Sequence, residues 1–132
     1  MKILIIEDNP GYSALLTSFL NEEGFETSAA LSGKEGVKAA FSYLPDLILV
    51  DYELGDMTGY DVAIAIKCMR ATANTPFILL SSLAADPAIS AGFKKLSNCR
   101  ATLVKTQPLA AILETIEKAI TGYGRATAIK QF

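Results

Sequence analysis

The sequence contains no histidine, and its only two cysteines, Cys68 and Cys99, stand far apart with no CxxC spacing. Zinc sites draw on clustered Cys and His, and a disulfide framework needs several paired cysteines, so neither is expected here. Two isolated thiols fit a reduced, cytoplasmic protein. Long hydrophobic runs are missing too. No stretch approaches the ~20 apolar residues of a membrane span, and Met1-Lys2 leads straight into a strand-like run without a signal-peptide pattern. There is no excess of cationic charge: 12 Lys and Arg stand against 14 Asp and Glu, a net charge of −2. This argues against a surface for nucleic acid, which needs clustered basic residues. No GxGxxG follows a strand and no P-loop occurs, so dinucleotide or flavin binding lacks its usual phosphate-cradling signature. No internal repeat or low-complexity segment is visible.

What remains is ordinary in bulk and informative in order. At 51% hydrophobic and 20% charged residues over a length of 132, the composition is that of one globular domain, able to bury roughly two-thirds of its unfolded surface. Short apolar runs alternate with stretches of helical period five times, the pattern of a doubly wound α/β fold with a parallel sheet covered on both faces. The runs Ile3 to Ile6, Leu47 to Val50, Phe77 to Leu80 and Thr102 to Val104 read as strands one, three, four and five. Strand two, near Phe25 to Ala30, is more polar and reads as an edge strand.

The helix ends are marked by capping chemistry. Asn9-Pro10 and Asp86-Pro87 each place a capping side chain before a proline at the first helical position, where its missing N–H costs nothing. Ser32 with Glu35 predicts a capping box for a helix burying Val37, Ala40, Phe41 and Leu44. A third helix is expected around Asp61 to Met69. The last follows Pro108, with Leu109, Ile112, Leu113, Ile116 and Ile120 at helical spacing and Gly122 as its stop. The spacing assigns residues 1–122 to the domain and 123–132 to a tail or the start of a linker.

Ligands of an open parallel sheet bind beyond the carboxyl ends of its strands, where the winding reverses. In the strand order 2-1-3-4-5, those ends carry Glu7 and Asp8 after strand one, Asp51 after strand three, Ser81 and Ser82 after strand four, and Lys105 after strand five. Two carboxylates 4 Å apart repel by about 4 kcal/mol at an effective dielectric of 20, so three together call for a cation or a raised pKa. A hard divalent ion such as Mg²⁺ suits oxygen ligands, and with a lysine and a hydroxyl nearby the set fits phosphoryl transfer.

The runs ILIIEDNP, LILVDYELGDMTGYDV, PFILLSS and LVK resemble, in order, the four signature segments of the response-regulator receiver family, and the likeness extends from Lys2 to about Thr121. The resemblance implies a flavodoxin-like five-stranded sheet and a phosphoacceptor switch of a two-component system. In that reading Asp51 accepts a phosphoryl group from a sensor histidine kinase or phosphotransfer protein. Glu7, Asp8, Asp51 and the backbone carbonyl of Glu53 hold Mg²⁺, and Ser81 and Lys105 bind phosphoryl oxygens. The resemblance further implies that the Glu53 side chain tunes hydrolysis, and that an output protein or fused effector is met through helix four, strand five and helix five. No direct contact with nucleic acid or membrane is expected, and the domain catalyses only its own phosphorylation and dephosphorylation.

Four departures from the family stand out. Thr106 follows Lys105 where proline is usual, removing the proline rationale for a cis peptide there. Thr102 takes the place of an aromatic switch residue. The segment from Ala91-Gly92 to Lys105 is longer than the common pattern, and Gly55 replaces a proline, which is expected to loosen the loop after Asp51. The competing reading is an aspartate-based phosphohydrolase, suggested by Asp51-x-Glu53 at a strand end. Such enzymes usually carry Asp-x-Asp on their first strand and more chain for a substrate cap; continuous release of phosphate would distinguish them. Whether the domain stands alone or opens a longer regulator is left open by the sequence.

Overall fold

Three runs of apolar residues, Ile3 to Ile6, Leu47 to Val50 and Phe77 to Leu80, form the interior of the sheet because both of their faces are covered. The structure, a computed structural model, describes residues 1–121. Its strands are β1 (Lys2–Ile6), β2 (Glu26–Ala30), β3 (Leu47–Val50), β4 (Phe77–Leu80) and β5 (Cys99–Leu103). They form one parallel sheet in the order β2-β1-β3-β4-β5. The helices are α1 (Pro10–Glu22), α2 (Gly33–Tyr43), α3 (Gly59–Cys68), α4 (Pro87–Lys94) and α5 (Leu109–Thr121), and a 3-10 turn spans Ser82–Ala85. Gly122 and the segment 123–132 lie outside the described residues. Among the described residues no helix is long and apolar enough to cross a membrane, no cis peptide bond occurs, and both cysteines are free.

Side chains alternate along each strand, so one register feeds two cores. Ile3, Ile5, Leu47, Leu49, Ile78 and Leu80 pack with Leu16 and Leu20 of α1 and Ile112 and Ile116 of α5. On the opposite face Leu4, Ile6, Ile48, Val50, Phe77 and Leu79 pack with Ala40 of α2, Val62 and Ile66 of α3, and Phe93 of α4. The helix starts match their caps. Asn9 accepts from the Tyr12 N–H, Asp86 from Ala88, and Thr58 and Asp61 form a reciprocal capping box that begins α3 two residues earlier than the sequence suggests.

Three expectations need correction. The α2 stripe is rotated: Phe41 and Leu44 are 59% and 49% exposed, while Gly36 and Ala40 face the sheet and Gly33 faces Met57 and Val62. Small residues let α2 lie close to β1, since a Cβ on Gly36 would fall 2.7 Å from the Ile6 side chain. Leu44, at φ 50°, ends the helix in the left-handed conformation instead of continuing its buried face. At the second cap Ser32 accepts from the Glu35 N–H at 3.1 Å, but the Glu35 carboxylate reaches back to the Leu31 N–H, at 3.4 Å, not to that of Ser32. The third correction concerns β5, which begins at Cys99, not at Thr102, and ends at Leu103. Its register against β4 slips between Phe77, paired with Cys99, and Ile78, paired with Ala101, so Arg100 is an extra, bulged residue. That bulge takes up part of the added length between α4 and Lys105, and it places an exposed charge on an edge strand, which blunts edge pairing.

The short helix α4 is fastened by one fully buried side chain, Phe93, whose ring meets Phe77, Tyr60 and Tyr52 edge-on at 5.9, 5.6 and 6.4 Å. Phe93→Ala should therefore destabilise the domain by about 3–5 kcal/mol, whereas Phe93→Leu should cost about half as much. Urea denaturation checks this, and a loss below about 1 kcal/mol for the alanine variant would contradict it.

Candidate functional site

Three parallel strands end in carboxylates or a lysine at one edge of the sheet, and their side chains have little room to avoid one another. Glu7 and Asp51 are 2% and 6% exposed, at the ends of the neighbouring strands β1 and β3, and Asp8 beside them is exposed. One oxygen from each of the three lies within 4.8 Å of the others, and among the described residues this is the one such group of potential metal ligands. Asp51 is held from below by α3. Gly59 starts that helix so close that a Cβ would fall 2.1 Å from the Asp51 carbonyl oxygen, and the Gly59 N–H donates to the Tyr52 carbonyl at 2.6 Å.

Lys105 supplies the countercharge. From beyond β5 its ammonium reaches past β4 to donate to Asp51 Oδ2 at 3.0 Å and to form an ion pair with Glu7 Oε1 on β1. The other carboxylate oxygens are oriented by backbone: Asp51 Oδ1 accepts the Tyr52 N–H at 2.7 Å, and Glu7 Oε2 accepts the Asn9 N–H at 3.0 Å. Burial raises the pKa of Glu7 above the usual carboxylate range, against the opposing pull of Lys105 and the Asn9 N–H. For Lys105 burial works to lower the pKa, yet its bonds to Glu7 and Asp51 outweigh it, and the net shift is upward. The lysine is thus firmly charged at neutral pH.

Asp8, Asn9, Asp51, Glu53, Ser81, Ser82, Leu83 and Lys105 line a cleft of about 280 Å³ around these groups. Ser81 is 2% exposed and its Oγ accepts the Leu83 N–H at 3.2 Å, capping the 3-10 turn and leaving its hydroxyl proton available to an anion in the cleft. The site residues named from strand ends, Glu7, Asp8, Asp51, Ser81 and Lys105, are therefore brought together. Glu53 is exposed at the mouth, with its backbone paired to Thr58. Hard carboxylate oxygens in a shared, partly buried cluster, met among the described residues by one ammonium, fit a small divalent cation better than a soft metal.

Sequence reasoning missed two groups at this site. The Tyr12 ring on α1 lies 4.8 Å from the Lys105 ammonium, and its hydroxyl is buried without a partner. Only the sheet order shows that α1 and the end of β5 meet, so nothing in local spacing points to Tyr12. Asp56 is the second: it bonds to α2, across more than twenty residues of chain.

The geometry agrees with comparisons to known proteins. The model of the response regulator receiver domain matches residues 3–117. Over 81 residues, 61% of this chain, it is 33% identical to the DNA-binding response regulator MtrA of Mycolicibacterium smegmatis and 38% identical to the cell cycle transcriptional regulator CtrA of Caulobacter vibrioides. Each match covers 34% of the relative, so the chain spans about a third of the length of these proteins. A solved N-terminal domain of a response regulator/sensory box/GGDEF three-domain protein from Carboxydothermus hydrogenoformans is 28% identical. It superposes with a TM-score of 0.80 over 93% of this chain and 96% of that one. Chemotaxis response regulator CheY4 of Vibrio cholerae, 23% identical with a TM-score of 0.82 over 89% of this chain and 97% of that one, shares the fold. With its strand order, its acidic cluster and its cross-sheet lysine, the chain belongs to the response regulator receiver domain family.

Proposed function

We propose that this domain is a phosphoacceptor switch of a cytoplasmic two-component system, in which Asp51 takes a phosphoryl group from a phosphohistidine of a sensor kinase or phosphotransfer protein. The observation that carries the reading is the Lys105 ammonium stretched across the sheet to Asp51 and Glu7, with Ser81 in the same cleft. Mg²⁺, held by Glu7, Asp8, Asp51 and the Glu53 carbonyl, would neutralise charge on the transferring group. Asp51 Oδ2 attacks phosphorus as the P–N bond to the donor imidazole breaks, and the imidazole keeps the electron pair. Lys105 and the Ser81 hydroxyl are aimed at the oxygens that gather negative charge, so the protein contributes positioning and electrostatic stabilisation. Attack by water on the aspartyl phosphate reverses the modification, and in this sense the domain catalyses only its own turnover.

The signal leaves through Ser81. Drawing its hydroxyl toward a phosphoryl oxygen weakens its bond to the Leu83 N–H and releases the turn that leads into α4. Moving such a switch from 1:99 to 99:1 takes about 5.5 kcal/mol of differential stabilisation. The face of α4, β5 and α5 would meet the output protein or fused effector. On that face Ser90 of α4 and Thr102 of β5 share a hydroxyl hydrogen bond of 3.1 Å. A small hydroxyl pair here implies a smaller side-chain rearrangement than an aromatic residue would make.

Treatment with acetyl phosphate and Mg²⁺ should add one phosphoryl mass to the wild type, and Asp51→Asn should remove the acid-labile label. Equal labelling of the Asn variant in intact-mass spectra would refute the assignment of Asp51. Continuous release of phosphate from small phosphorylated metabolites would instead favour the phosphohydrolase reading.

Glu53 is expected to slow this labelling. A carboxylate about 6 Å from an anionic donor repels it by about 3 kcal/mol at a dielectric of 20, and solvent, Mg²⁺ and Lys105 reduce that to about 1 kcal/mol. Glu53→Gln and Glu53→Lys should accelerate acetyl phosphate labelling several-fold at low ionic strength, with the gain shrinking as salt rises. Identical rates in all three proteins at low salt would remove Glu53 from the account.

A further inference from the structure

The loop that follows Asp51 is fastened to a helix that contributes none of the reacting groups. From Glu53 to Thr58 the chain folds back on itself: Glu53 pairs antiparallel with Thr58, and the Leu54 N–H donates to the Met57 carbonyl at 3.3 Å. Gly55 has φ 83°, whereas Asp56 is not among the residues of positive φ. Gly55 and Asp56 thus form the tip of a short hairpin, with glycine at the position of positive φ. A proline, locked near φ −65°, could not make this turn. Gly55 thus supplies the positive φ that the bend requires.

The turn delivers the Asp56 carboxylate to the start of α2. Its Oδ1 accepts the Gly33 N–H and its Oδ2 the Lys34 N–H, each at 2.9 Å. Ser32 takes the third amide, that of Glu35, at 3.1 Å. The first three unpaired donors of the helix are therefore satisfied, two of them from a distant loop. The Lys34 and Gly33 amides hold the Asp56 carboxyl below the ordinary carboxylate range. Met57 follows Asp56 onto the helix, and a Cβ at Gly33 would fall 2.3 Å from its Cγ. The contact is built from both sides: a positive-φ glycine aims the acid, and a second glycine clears the landing place.

We propose, resting on the phosphoacceptor reading above, that Asp56 is a positioning residue for the metal and phosphoryl site: it clips the loop after Asp51 to the N-terminus of α2. The clip fixes where the Glu53 carbonyl stands relative to the Asp51 carboxylate before a cation arrives. A loop ordered in advance loses less freedom on binding than one that must order with the ligand. Removing the clip therefore weakens Mg²⁺ binding without touching a ligand atom.

Amide NMR of the intact chain tests this with Asp56→Ala, Asp56→Asn and Ser32→Ala. Ser32→Ala removes a cap from the same helix but leaves the loop attached, so it reports loss of helix stability alone. Without metal, the Gly33, Lys34 and Leu54 amides should exchange about tenfold faster in Asp56→Ala than in the wild type. Titrated with Mg²⁺, Asp56→Ala should bind about tenfold more weakly, Asp56→Asn should lie between it and the wild type because one acceptor oxygen remains, and Ser32→Ala should stay within about twofold. Wild-type Mg²⁺ affinity in Asp56→Ala would overturn the proposal and spare the metal site. So would equal losses in Ser32→Ala and Asp56→Ala, or an Asp56→Asn loss that equals that of Asp56→Ala and vanishes in high salt, which would mark a simple charge effect. Absence of an Asp51-dependent Mg²⁺ response in the wild type would overturn the metal-site reading and the proposal together.

Discussion

The rest of the site depends on the ammonium of Lys105, shared between Glu7 and Asp51. Two buried carboxylates at the ends of adjacent strands repel by several kcal/mol, and desolvation sharpens that repulsion. A positive charge must reach them from elsewhere in the fold, and among the described residues it is a lysine at the far edge of the sheet, with a stem long enough to cross β4, that does so. The strand order is what makes this possible: β1 and β3 are neighbours although α1, β2 and α2 separate them in the chain. The ammonium offsets part of the negative charge of the cluster. One ammonium faces three acids, so a divalent cation and an anionic group together satisfy the cluster better than the lysine alone.

The two faces of the sheet have unequal parts in this. The α1 and α5 face holds Lys105 laterally through Tyr12, whose ring lies beside the ammonium and leaves the carboxylates as its polar partners. The opposite face anchors the elements that respond. Phe93 ties α4 to the sheet, Ser81 caps the turn before it, and Ser90 meets Thr102 across the α4 and β5 contact. A change at Ser81 is passed along a short path of direct bonds. Asp56 adds a branch to α2, so the loop after Asp51 is attached at both ends: to α3 through the Thr58 and Asp61 capping box, and to α2 through its own carboxylate.

How much of this was legible in the sequence follows from the range of the forces involved. The bounds of β3 and β4 read correctly because a strand covered on both faces is an uninterrupted apolar run, and the N-caps at Asn9, Ser32 and Asp86 read correctly because capping is local, although the reciprocal half of the Ser32 box did not form. Glu7, Asp8, Asp51, Ser81 and Lys105 were legible as strand ends once a parallel order was assumed. The buried face of α2 was not, since helical period alone cannot tell a stripe of small residues pressed on Ile6 from the larger Phe41 and Leu44 one step around. The Arg100 bulge depends on pairing with β4, and Tyr12 and Asp56 act through partners that only the tertiary fold supplies. Gly55 was noticed as a departure, but the positive φ it supplies to the loop after Asp51 shows only in the folded backbone.

The central claim is that Asp51 receives the phosphoryl group in a cleft where Lys105 and Ser81 await it. A high-resolution crystal structure with Mg²⁺ and beryllofluoride tests it most directly. The account requires beryllium joined to an Asp51 carboxylate oxygen, with fluorines contacting the Lys105 ammonium and the Ser81 hydroxyl, and the metal between Glu7, Asp8 and Asp51. Beryllofluoride on another carboxylate, or Lys105 and Ser81 left with their present partners while Asp51 is occupied, would contradict it.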